Sequence, residues 1–245
     1  MQKQLLNITN LSVYKNSIHI LKNCNLSILP GTNNVLMGPN GAGKSSLAYA
    51  ILGHQIYLVK GKILFDGKDI TKIKMHKRAR QGLFLAIQNP PTLEGVSVFS
   101  LLKESYRAVY GADLSIYDLH DKLLNYCSIL KVDTAFLQRH VNDDFSGGEK
   151  KKFELLRLLF LKPKLAILDE IDSGLDVDSL DMVRIVLALL KKETKDFSSL
   201  IITHSTSLVK KIAIKDVHII KSGQIVASGN KCLACAVEVN GYEVF

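Results

Sequence analysis

The sequence Gly38-Pro39-Asn40-Gly41-Ala42-Gly43-Lys44-Ser45 decides the fold, because it matches the phosphate-binding pattern Gly-x-x-x-x-Gly-Lys-Ser/Thr at every defined position. The apolar run Asn34–Met37 before it predicts a buried strand, and Ser45–Leu52 after it has helical spacing. Glycines let backbone N–H groups turn toward phosphates, and the start of a helix adds partial positive charge. In such a loop Lys44 reaches the terminal phosphates and the Ser45 hydroxyl ligates Mg²⁺. The stretch, called the P-loop below, therefore predicts a site for nucleotide phosphates.

Two adjacent carboxylates end a second apolar strand, Leu165-Ala166-Ile167-Leu168-Asp169-Glu170. Side chains alternate along a strand, so the two carboxylates need not do the same work. We expect Asp169 to hold the Mg²⁺ shell and Glu170 to polarise an attacking water. Combined with the P-loop, this strand predicts hydrolysis of a nucleoside triphosphate.

Strand-like and helical segments alternate along most of the chain, which predicts an α/β fold with a mostly parallel sheet covered on both faces. The first 35 residues alternate apolar and polar positions and predict antiparallel strands. Gly61–Gly67 indicates an edge strand, Gly82–Ile87 a central strand, and Ser222-Gly223 a hairpin turn. The pattern is helical from Val98 to Leu161, so this segment is expected to form a lobe inserted into the core.

Composition narrows the class of protein. The 245 residues are 47% hydrophobic and 22% charged, as in a globular protein with a substantial core. No apolar stretch approaches the roughly 20 residues that a membrane-spanning helix needs, so direct membrane insertion is not expected. The first residues have neither the apolar run of a signal peptide nor the Arg/Ser bias of a transit peptide. Four cysteines suggest no disulfide framework and favour a reducing compartment.

The net charge of +9 indicates either an ordinary solvated basic surface or attraction of an acidic partner. Much of the excess lies in Lys72–Arg80 and in Lys150–Lys152. The first segment predicts a short helix with a solvated basic face, and it contains no aromatic residue on which bases could stack. Nucleic-acid binding is therefore not expected.

A third motif, Phe145-Ser146-Gly147-Gly148-Glu149, resembles the signature loop of ABC ATPases, with Phe for the usual Leu and Glu for the usual Gln. Ser-Gly-Gly at the start of a helix is another phosphate-binding turn. The resemblance implies a transient ATP-dependent homodimer in which each ATP lies between the P-loop of one chain and the signature loop of the other. The ATP contacts that it implies in these two loops are Gly38, Pro39, Asn40, Gly41, Ala42, Gly43, Lys44, Ser45, Ser46, Ser146, Gly147, Gly148 and Glu149.

Other positions agree with the same family in order and distance. Gln88 matches the residue that touches Mg²⁺ and water, and His204 matches the switch histidine at the γ-phosphate. Ser173–Asp176 matches the loop that crosses the dimer interface, where Asp176 would contact ATP. Tyr14 lies where the family places an adenine-stacking aromatic, but it could equally be an ordinary strand residue. The resemblance thus implies Lys44, Glu170 and His204 as catalytic residues and Ser45, Gln88 and Asp169 as Mg²⁺ ligands.

The resemblance also implies the architecture of an ABC cassette. Residues 1–245 would form a single ABC ATPase domain. Its catalytic α/β core, residues 1–91 and 162–245, would combine a RecA-like parallel sheet with an antiparallel β subdomain. Residues 92–161 would form the inserted helical subdomain that carries the signature loop.

Longer matches resemble the ATPase subunits of the SUF iron–sulfur cluster assembly machinery (the SufC type). They lie in Phe145–Lys151, in Asp169–Leu180, and in Gln88–Pro91 followed by Gly95–Ser97. This resemblance implies an ATPase that docks on scaffold subunits of the SufB/SufD type and reshapes them when ATP drives dimerisation. The chain departs from the pattern at Ser46, where Thr is usual, and at Ile171, where a small polar residue is usual.

The runner-up is the nucleotide-binding subunit of an ABC membrane transporter, which has the same fold and chemistry but a membrane-embedded partner. DNA-repair ABC proteins are disfavoured, since they insert long coiled coils between the P-loop and the signature loop. We expect a cytoplasmic protein, with a plastid-type organelle stroma as the alternative. A further hypothesis is that Lys151 pairs with the Glu170 carboxylate in the resting monomer; the alternative is an ordinary solvated basic helix start.

Overall fold

The computed structural model describes residues 3–173 and 177–245, and its centre is a six-stranded sheet. The spatial order of the strands is β12-β11-β3-β10-β9-β6. All neighbours in this sheet are parallel except β11 and β12, which form an antiparallel hairpin. The strands are β3 Asn33–Met37, β6 Leu83–Ala86, β9 Leu165–Asp169, β10 Ser198–Ile202, β11 Asp216–Lys221 and β12 Gln224–Gly229.

An antiparallel sheet with the order β2-β1-β4-β5 lies beside the six-stranded sheet. Its strands are β1 Leu6–Lys15, β2 Ile18–Ile28, β4 Leu58–Phe65 and β5 Lys68–Asp69. The prediction of antiparallel strands in the first 35 residues is thus confirmed. Gly61–Gly67 was expected at an edge, but β4 lies between β1 and β5, because the two residues of β5 pair with Leu64 and Phe65.

The helices cover both faces of the six-stranded sheet. They are α1 Lys44–Leu52, α2 Met75–Arg80, α3 Val98–Tyr110, α4 Ile116–Ile129, α5 Gly147–Leu161, α6 Val177–Glu193, α7 Thr206–Lys211 and α8 Cys232–Asn240. Between α4 and α5 lie a short 3-10 helix, Thr134–Gln138, and the two-residue strand β8, His140–Val141. Strand β8 pairs with β7, Leu93–Ser97. Among the described residues, no helix combines the length and the apolar character needed to span a bilayer.

Alternation along each buried strand divides the apolar core into two clusters. On β9, Leu165 and Ile167 face α1 and the antiparallel sheet, whereas Ala166 and Leu168 face the helices on the other side. Every residue of β3, β6, β9 and β10 is buried. Continuous burial is the mark of strands covered on both faces, as the sequence predicted for the parallel sheet.

Strand β6 was expected to be central, but this is wrong, since it is the edge strand next to β9. The helix α2 was expected to present a solvated basic face, and Lys72, Lys74, Lys77 and Arg80 are exposed. Arg78 departs from that expectation, because its side chain is only 2% exposed. Its guanidinium donates to carbonyls of Ala50, Ile51, Ile73 and Thr71, so this cation is a structural group inside the protein.

Candidate active site

The P-loop connects β3 to α1, and its backbone is fixed by close contacts. Gly43 has φ of 105°, a left-handed conformation that favours glycine, and α1 begins at the next residue. A Cβ on Gly38 would lie 2.1 Å from the Ile220 carbonyl oxygen, so only glycine fits there. Lys44 folds back over the loop, where Nζ donates to the carbonyls of Gly38 at 2.9 Å and Pro39 at 3.0 Å. Burial lowers the pKa of Lys44, while Glu170 and Asp169 act in the opposite direction.

A cavity of about 710 Å³ opens above the P-loop. It joins residues from five separate parts of the sequence. Its lining consists of Ile20, Asn40, Gly41, Gly43, Lys44, Ser45, Ser46, Gln88, Glu170 and His204. All of these residues except Ile20 were predicted from the sequence. Ile20 lies on β2, just after the turn that joins β1 to β2, and belongs to no motif. Only the three-dimensional packing of β2 against the P-loop brings Ile20 here.

Asp169 lies at the carboxyl end of β9 with 3% of its surface exposed. Burial raises the pKa of its carboxyl group, and a hydrogen bond with Ser45 opposes that change. Its Oδ1 atom is buried without a hydrogen-bond partner in the described part of the chain. An unpaired carboxylate oxygen beside a serine hydroxyl is an oxygen donor set that suits Mg²⁺. These two residues therefore fit the ion that the sequence predicts.

Glu170 places its carboxylate at the wall of the cavity. One oxygen accepts a hydrogen bond from the Gln88 side chain, and Oε1 lies 2.7 Å from His204 Nε2. The backbone of Glu170 is left-handed, with φ of 50°, and its N–H donates to the Ile202 carbonyl at 2.9 Å. The ends of β6, β9 and β10 thus bring Gln88, Glu170 and His204 together, although they are far apart in the sequence.

Lys151 contacts the backbone of Glu170 and not its carboxylate. Its Nζ donates to the Glu170 backbone carbonyl at 2.7 Å. Burial lowers the pKa of Lys151, and nearby carboxylates, first Asp172 and then Glu170, oppose this. The hypothesis of a Lys151–Glu170 ion pair that disables the carboxylate is therefore wrong in its geometry. The carboxylate is held by Gln88 and His204 instead.

The signature loop, residues 145–149, does not line the P-loop cavity of its own chain. Ser146 caps α5 by accepting from the Glu149 N–H, and Glu149 accepts from the Ser146 N–H and pairs with Arg139. Ser146, Gly147 and Gly148 are exposed. Among the described residues, a Cβ added to Gly147 or Gly148 would meet nothing within 4 Å. This helix N-terminus is therefore open to a second molecule.

The remaining candidates fall into three groups. Pro39 and Ala42 belong to the P-loop backbone but do not line the cavity. Tyr14 does not line it either, because its ring stacks on His19 with 4.3 Å between ring centroids. Asp176 lies outside the described residues.

Comparisons with known proteins agree with this geometry. A family profile described as "ABC transporter" matches residues 21–173, which include both loops and the two carboxylates. The chain belongs to this family of ABC ATPases. A probable ATP-dependent transporter of Synechocystis is 40% identical over 248 residues, covering 99% of this chain and 96% of that protein. Vegetative protein 296 of Bacillus subtilis is 41% identical over 246 residues, covering 99% and 94%.

The fold of this ABC ATPase is that of solved ABC cassettes. A dimeric ATP-binding cassette in a post-hydrolysis state, bound to ADP and Pi, matches with a TM-score of 0.81 at 19% identity. The match covers 92% of this chain and 98% of that chain. The predicted fold class, a mixed α/β ABC cassette with parallel and antiparallel sheets and helices, is therefore confirmed.

Proposed function

We propose that the chain binds and hydrolyses ATP, giving ADP and phosphate, as the motor subunit of an iron–sulfur cluster assembly complex. One observation carries the ATPase part. The Glu170 carboxylate meets Gln88 and His204 at the wall of the P-loop cavity, directly after the buried Asp169. The cavity thus combines a phosphate cradle, an oxygen site for a cation and a carboxylate that can activate water.

Each residue has a role in this proposal. The P-loop residues Gly38 to Ser45 and Ser46 hold the phosphates, with Lys44 at the terminal ones. Ser45, Gln88 and Asp169 hold Mg²⁺, which neutralises phosphate charge when bound. Glu170 orients the attacking water and accepts its proton, while His204 contacts the γ-phosphate. Gln88 and His204 each contact one oxygen of the Glu170 carboxylate, and each oxygen keeps a second lone pair that can accept a hydrogen bond from water.

The exposed signature loop is the reason to propose that a second chain completes the site. The signature loop offers an open helix N-terminus, which favours anions, yet it lies apart from the P-loop cavity of the same chain. In the proposed head-to-tail homodimer, Ser146, Gly147, Gly148 and Glu149 of one chain close over ATP in the other. Asp176 contacts the same nucleotide across the interface.

We propose the same division into subdomains that the sequence suggests. The core consists of residues 1–91 and 162–245, and the helical subdomain of residues 92–161. Gln88 lies between the end of β6 at Ala86 and the start of β7 at Leu93. Its contact with Glu170 therefore connects the cavity in the core to the segment that leads into the helical subdomain. A movement of the helical subdomain can reach Glu170 through this contact.

A groove of about 470 Å³ is the proposed docking place for the partner. Its floor is the edge strand β6, with Leu83, Phe84 and Leu85, and α2 and α3 form its walls. Basic side chains also line it, and no carboxylate does among the residues that the structure describes. An apolar floor with basic side chains suits a segment that carries both apolar and acidic residues.

The partner proposed here is a scaffold subunit of the SufB/SufD type. The support is the resemblance to SUF ATPases in Phe145–Lys151, in Asp169–Leu180, and in Gln88–Pro91 followed by Gly95–Ser97. The alternative is a membrane subunit of an ABC transporter, and the printed name of the Synechocystis relative, a probable ATP-dependent transporter, favours it. The location proposed with the first partner is the cytoplasm, or else a plastid-type stroma.

Phosphate release by the purified chain, alone and with added partner subunits, tests the proposal. We expect SufB/SufD-type subunits to stimulate hydrolysis without detergent, and Glu170→Gln to reduce it by about 10²–10⁴ because an amide cannot accept the proton of the water. Ala79→Glu, which adds a carboxylate to the groove, should raise the concentration of scaffold needed for half-maximal stimulation. Stimulation only by a detergent-solubilised membrane subunit would instead establish the transporter alternative.

A further inference from the structure

His204 and Glu170 stand in two turns whose relative position matters for the proposed reaction. The His204 side chain is 41% exposed, and its Nε2 atom lies 2.7 Å from Glu170 Oε1. In the proposed function His204 turns to the γ-phosphate and Glu170 to the attacking water, so this direct contact is given up. The distance between the two residues then depends on the backbone turns that carry them.

Thr203, the residue before His204, is fully buried, and its hydrogen bonds fix the end of β10. Its N–H donates to the Leu36 carbonyl on β3 at 3.3 Å. Its hydroxyl accepts from the Ser205 N–H at 2.8 Å, which closes a small turn around His204. The same hydroxyl donates its proton to Asp172 Oδ2. A hydroxyl can donate and accept at once, so the Thr203 side chain holds the backbone on both sides of His204.

Asp172, which accepts from Thr203, belongs to the turn that follows Glu170. It is buried, with 8% of its surface exposed. The turn is held by the Glu170 carbonyl, which accepts from the Ser173 N–H at 3.1 Å and from Lys151 Nζ at 2.7 Å. The position of Asp172 is therefore fixed relative to Glu170, two residues earlier in the chain.

The hydrogen bond between Thr203 and Asp172 connects the two turns beyond the ends of their strands. Strands β9 and β10 pair side by side, and the Glu170 N–H continues this pairing with a bond to the Ile202 carbonyl at 2.9 Å. The bond between Thr203 and Asp172 lies in the protein interior, whereas His204 and Glu170 line the cavity. It can therefore persist while the contacts inside the cavity change.

We propose that Thr203 and Asp172 are positioning residues for ATP hydrolysis, which keep Glu170 and His204 at a fixed separation while the direct contact between them is exchanged. The proposal rests on the proposed ATPase function and not on the identity of the partner. Among the described residues that line the P-loop cavity, neither Thr203 nor Asp172 occurs. Loss of their hydrogen bond should therefore slow the chemical step and leave nucleotide binding unchanged, since misplaced reacting groups lower the rate without weakening binding.

The variant Thr203→Val tests this, because valine keeps the branched shape of threonine and lacks the hydroxyl. The kcat for ATP hydrolysis, measured on the chain alone and with partner subunits, should fall about ten- to hundredfold. The Kd for a fluorescent ATP analogue should stay within about twofold of the wild-type value. Thr203→Ser keeps the hydroxyl and should keep kcat within about threefold.

The matched control is Ser199→Ala. Ser199 lies on the same strand and is also buried, but its hydroxyl donates to Asn33 Oδ1 at 3.0 Å, near the opposite end of β10 from His204. This variant should leave kcat unchanged, because it removes a buried hydroxyl without affecting either turn.

Variants of Asp172 test the same hydrogen bond from its other side. Asp172→Ala removes the acceptor and should lower kcat as Thr203→Val does, whereas Asp172→Asn keeps an acceptor oxygen and should restore it. Combining Thr203→Val with Asp172→Ala should give a kcat no lower than that of the slower single variant, because both changes remove one interaction. The two Asp172 variants decide the question if Thr203→Val does not fold, as judged by circular dichroism.

A kcat within about twofold of wild type in both Thr203→Val and Asp172→Ala overturns the proposal. So does an equal fall of kcat in Ser199→Ala, which would show a general effect of stability, or a raised Kd with unchanged kcat. These results leave the proposed ATPase function standing. An absence of hydrolysis by the wild-type chain, alone and with partner subunits, would instead overturn that function and this inference with it.

Discussion

At the scale of single residues, the orientation of Glu170 is set by contacts from three directions. Gln88 and His204 hold its two carboxylate oxygens, and Lys151 holds its backbone carbonyl. The left-handed backbone at Glu170 is uncommon for a residue with a side chain, and such conformations cluster at functional sites. Fixing the main chain through Lys151 leaves the carboxylate free to exchange its partners. A lysine on the carboxylate itself would instead oppose that exchange with an ion pair.

Asp169 illustrates a conflict between function and stability. Its carboxylate is buried with one oxygen unpaired, and burial raises its pKa. We therefore expect Asp169→Asn to raise the free energy of unfolding of the nucleotide-free chain by about 1 kcal/mol at neutral pH, since a neutral amide avoids the cost of a buried charge. The same substitution should abolish the Mg²⁺ dependence of ATP binding. Thermal unfolding and nucleotide titration, each with and without Mg²⁺, measure the two effects.

The gain in stability expected for Asp169→Asn depends on pH, and the raised pKa of Asp169 sets the sign of that dependence. The pKa of Asp169 is higher in the folded chain than in the unfolded chain, so the folded state binds more protons between the two values. Stability from this group is therefore fully present below the ordinary carboxyl pKa and is lost as pH rises through the folded value. The stability advantage of Asp169→Asn over the wild type should shrink at acidic pH.

The control for the Mg²⁺ effect is Asp172→Asn, which changes a buried aspartate that accepts a hydrogen bond from Thr203. This variant should keep the Mg²⁺ dependence of ATP binding. Loss of that dependence in both variants would contradict the assignment of Asp169 as a Mg²⁺ ligand.

The sequence predicted every residue that lines the cavity except Ile20, although Gly38, Pro39 and Ala42 of the P-loop do not line it. Lys44, Asp169 and Glu170 follow from local patterns whose chemistry requires those residue types at that spacing. Ile20 and the true partner of Lys151 could not be predicted, because each depends on which surfaces meet after folding. The spacing of Lys151 on α5 allows a contact with Glu170, but it does not distinguish the carboxylate from the carbonyl.

At the scale of elements, Arg78 connects the end of the P-loop helix to α2. It makes four hydrogen bonds to carbonyls, two of them to Ala50 and Ile51 in the last turn of α1. The last carbonyls of a helix have no partner further along it, and Arg78 brings a buried donor to these two; the Ala50 carbonyl also accepts from the Gly53 N–H at 3.1 Å. The planar guanidinium can reach all four carbonyls at once, whereas a lysine ammonium cannot.

We expect Arg78→Lys to lower the free energy of unfolding by about 2–4 kcal/mol, since it leaves buried carbonyls without donors. For a chain of this length that corresponds to a fall in Tm of roughly 5–15 °C. The control is the exposed neighbour Lys77, whose change to Gln should alter the stability by at most about 0.5 kcal/mol. Equal melting temperatures for Arg78→Lys and the wild type would show that water replaces the guanidinium.

The burial of Arg78 and the edge position of β6 were not predicted, because both depend on contacts that hydrophobic periodicity does not contain. An arginine among Lys72, Lys74, Lys77 and Arg80 has the same pattern whether it is solvated or buried. Its site is formed by Gly53, the end of α1 and the carbonyls of Thr71 and Ile73. A fully apolar strand such as Leu83–Ala86 indicates cover on both faces but says nothing about its lateral neighbours. Strand order depends on long-range pairing, and here the free edge of β6 forms the floor of the groove.

At the scale of the whole molecule, two exposed surfaces of one chain correspond to one proposed ATP site. The P-loop cavity is lined mostly by polar groups, among them the Lys44 ammonium, and the signature loop offers an exposed helix start that is capped only by its own Ser146 and Glu149. A two-fold symmetric dimer brings each surface of one chain to the other surface of its partner, so two equivalent sites form at once.

Complementation between two inactive variants tests this arrangement directly. Lys44→Ala removes the phosphate-binding ammonium, and Gly148→Asp adds a negative charge to the signature loop, where an added Cβ meets nothing within 4 Å in the described part of the chain. Each variant alone should be inactive, because every site of its dimer contains one defect. In a mixed dimer both defects fall in one site, and the other site is complete. An equal mixture should therefore recover about a quarter of the wild-type turnover, because half of random dimers are mixed and each has one complete site.

Phosphate release from the mixture, measured with saturating ATP and partner subunit, decides between a shared and a self-contained site. Recovery should require mixing, rise to a maximum at equal amounts of the two variants, and vanish when Glu170→Gln is added to the Gly148→Asp chain. That last change falls in the only complete site, because the Gly148→Asp chain supplies its P-loop and its carboxylate. If each chain instead completed its own site, the mixture would remain inactive at every ratio, and the head-to-tail homodimer would be wrong for this protein.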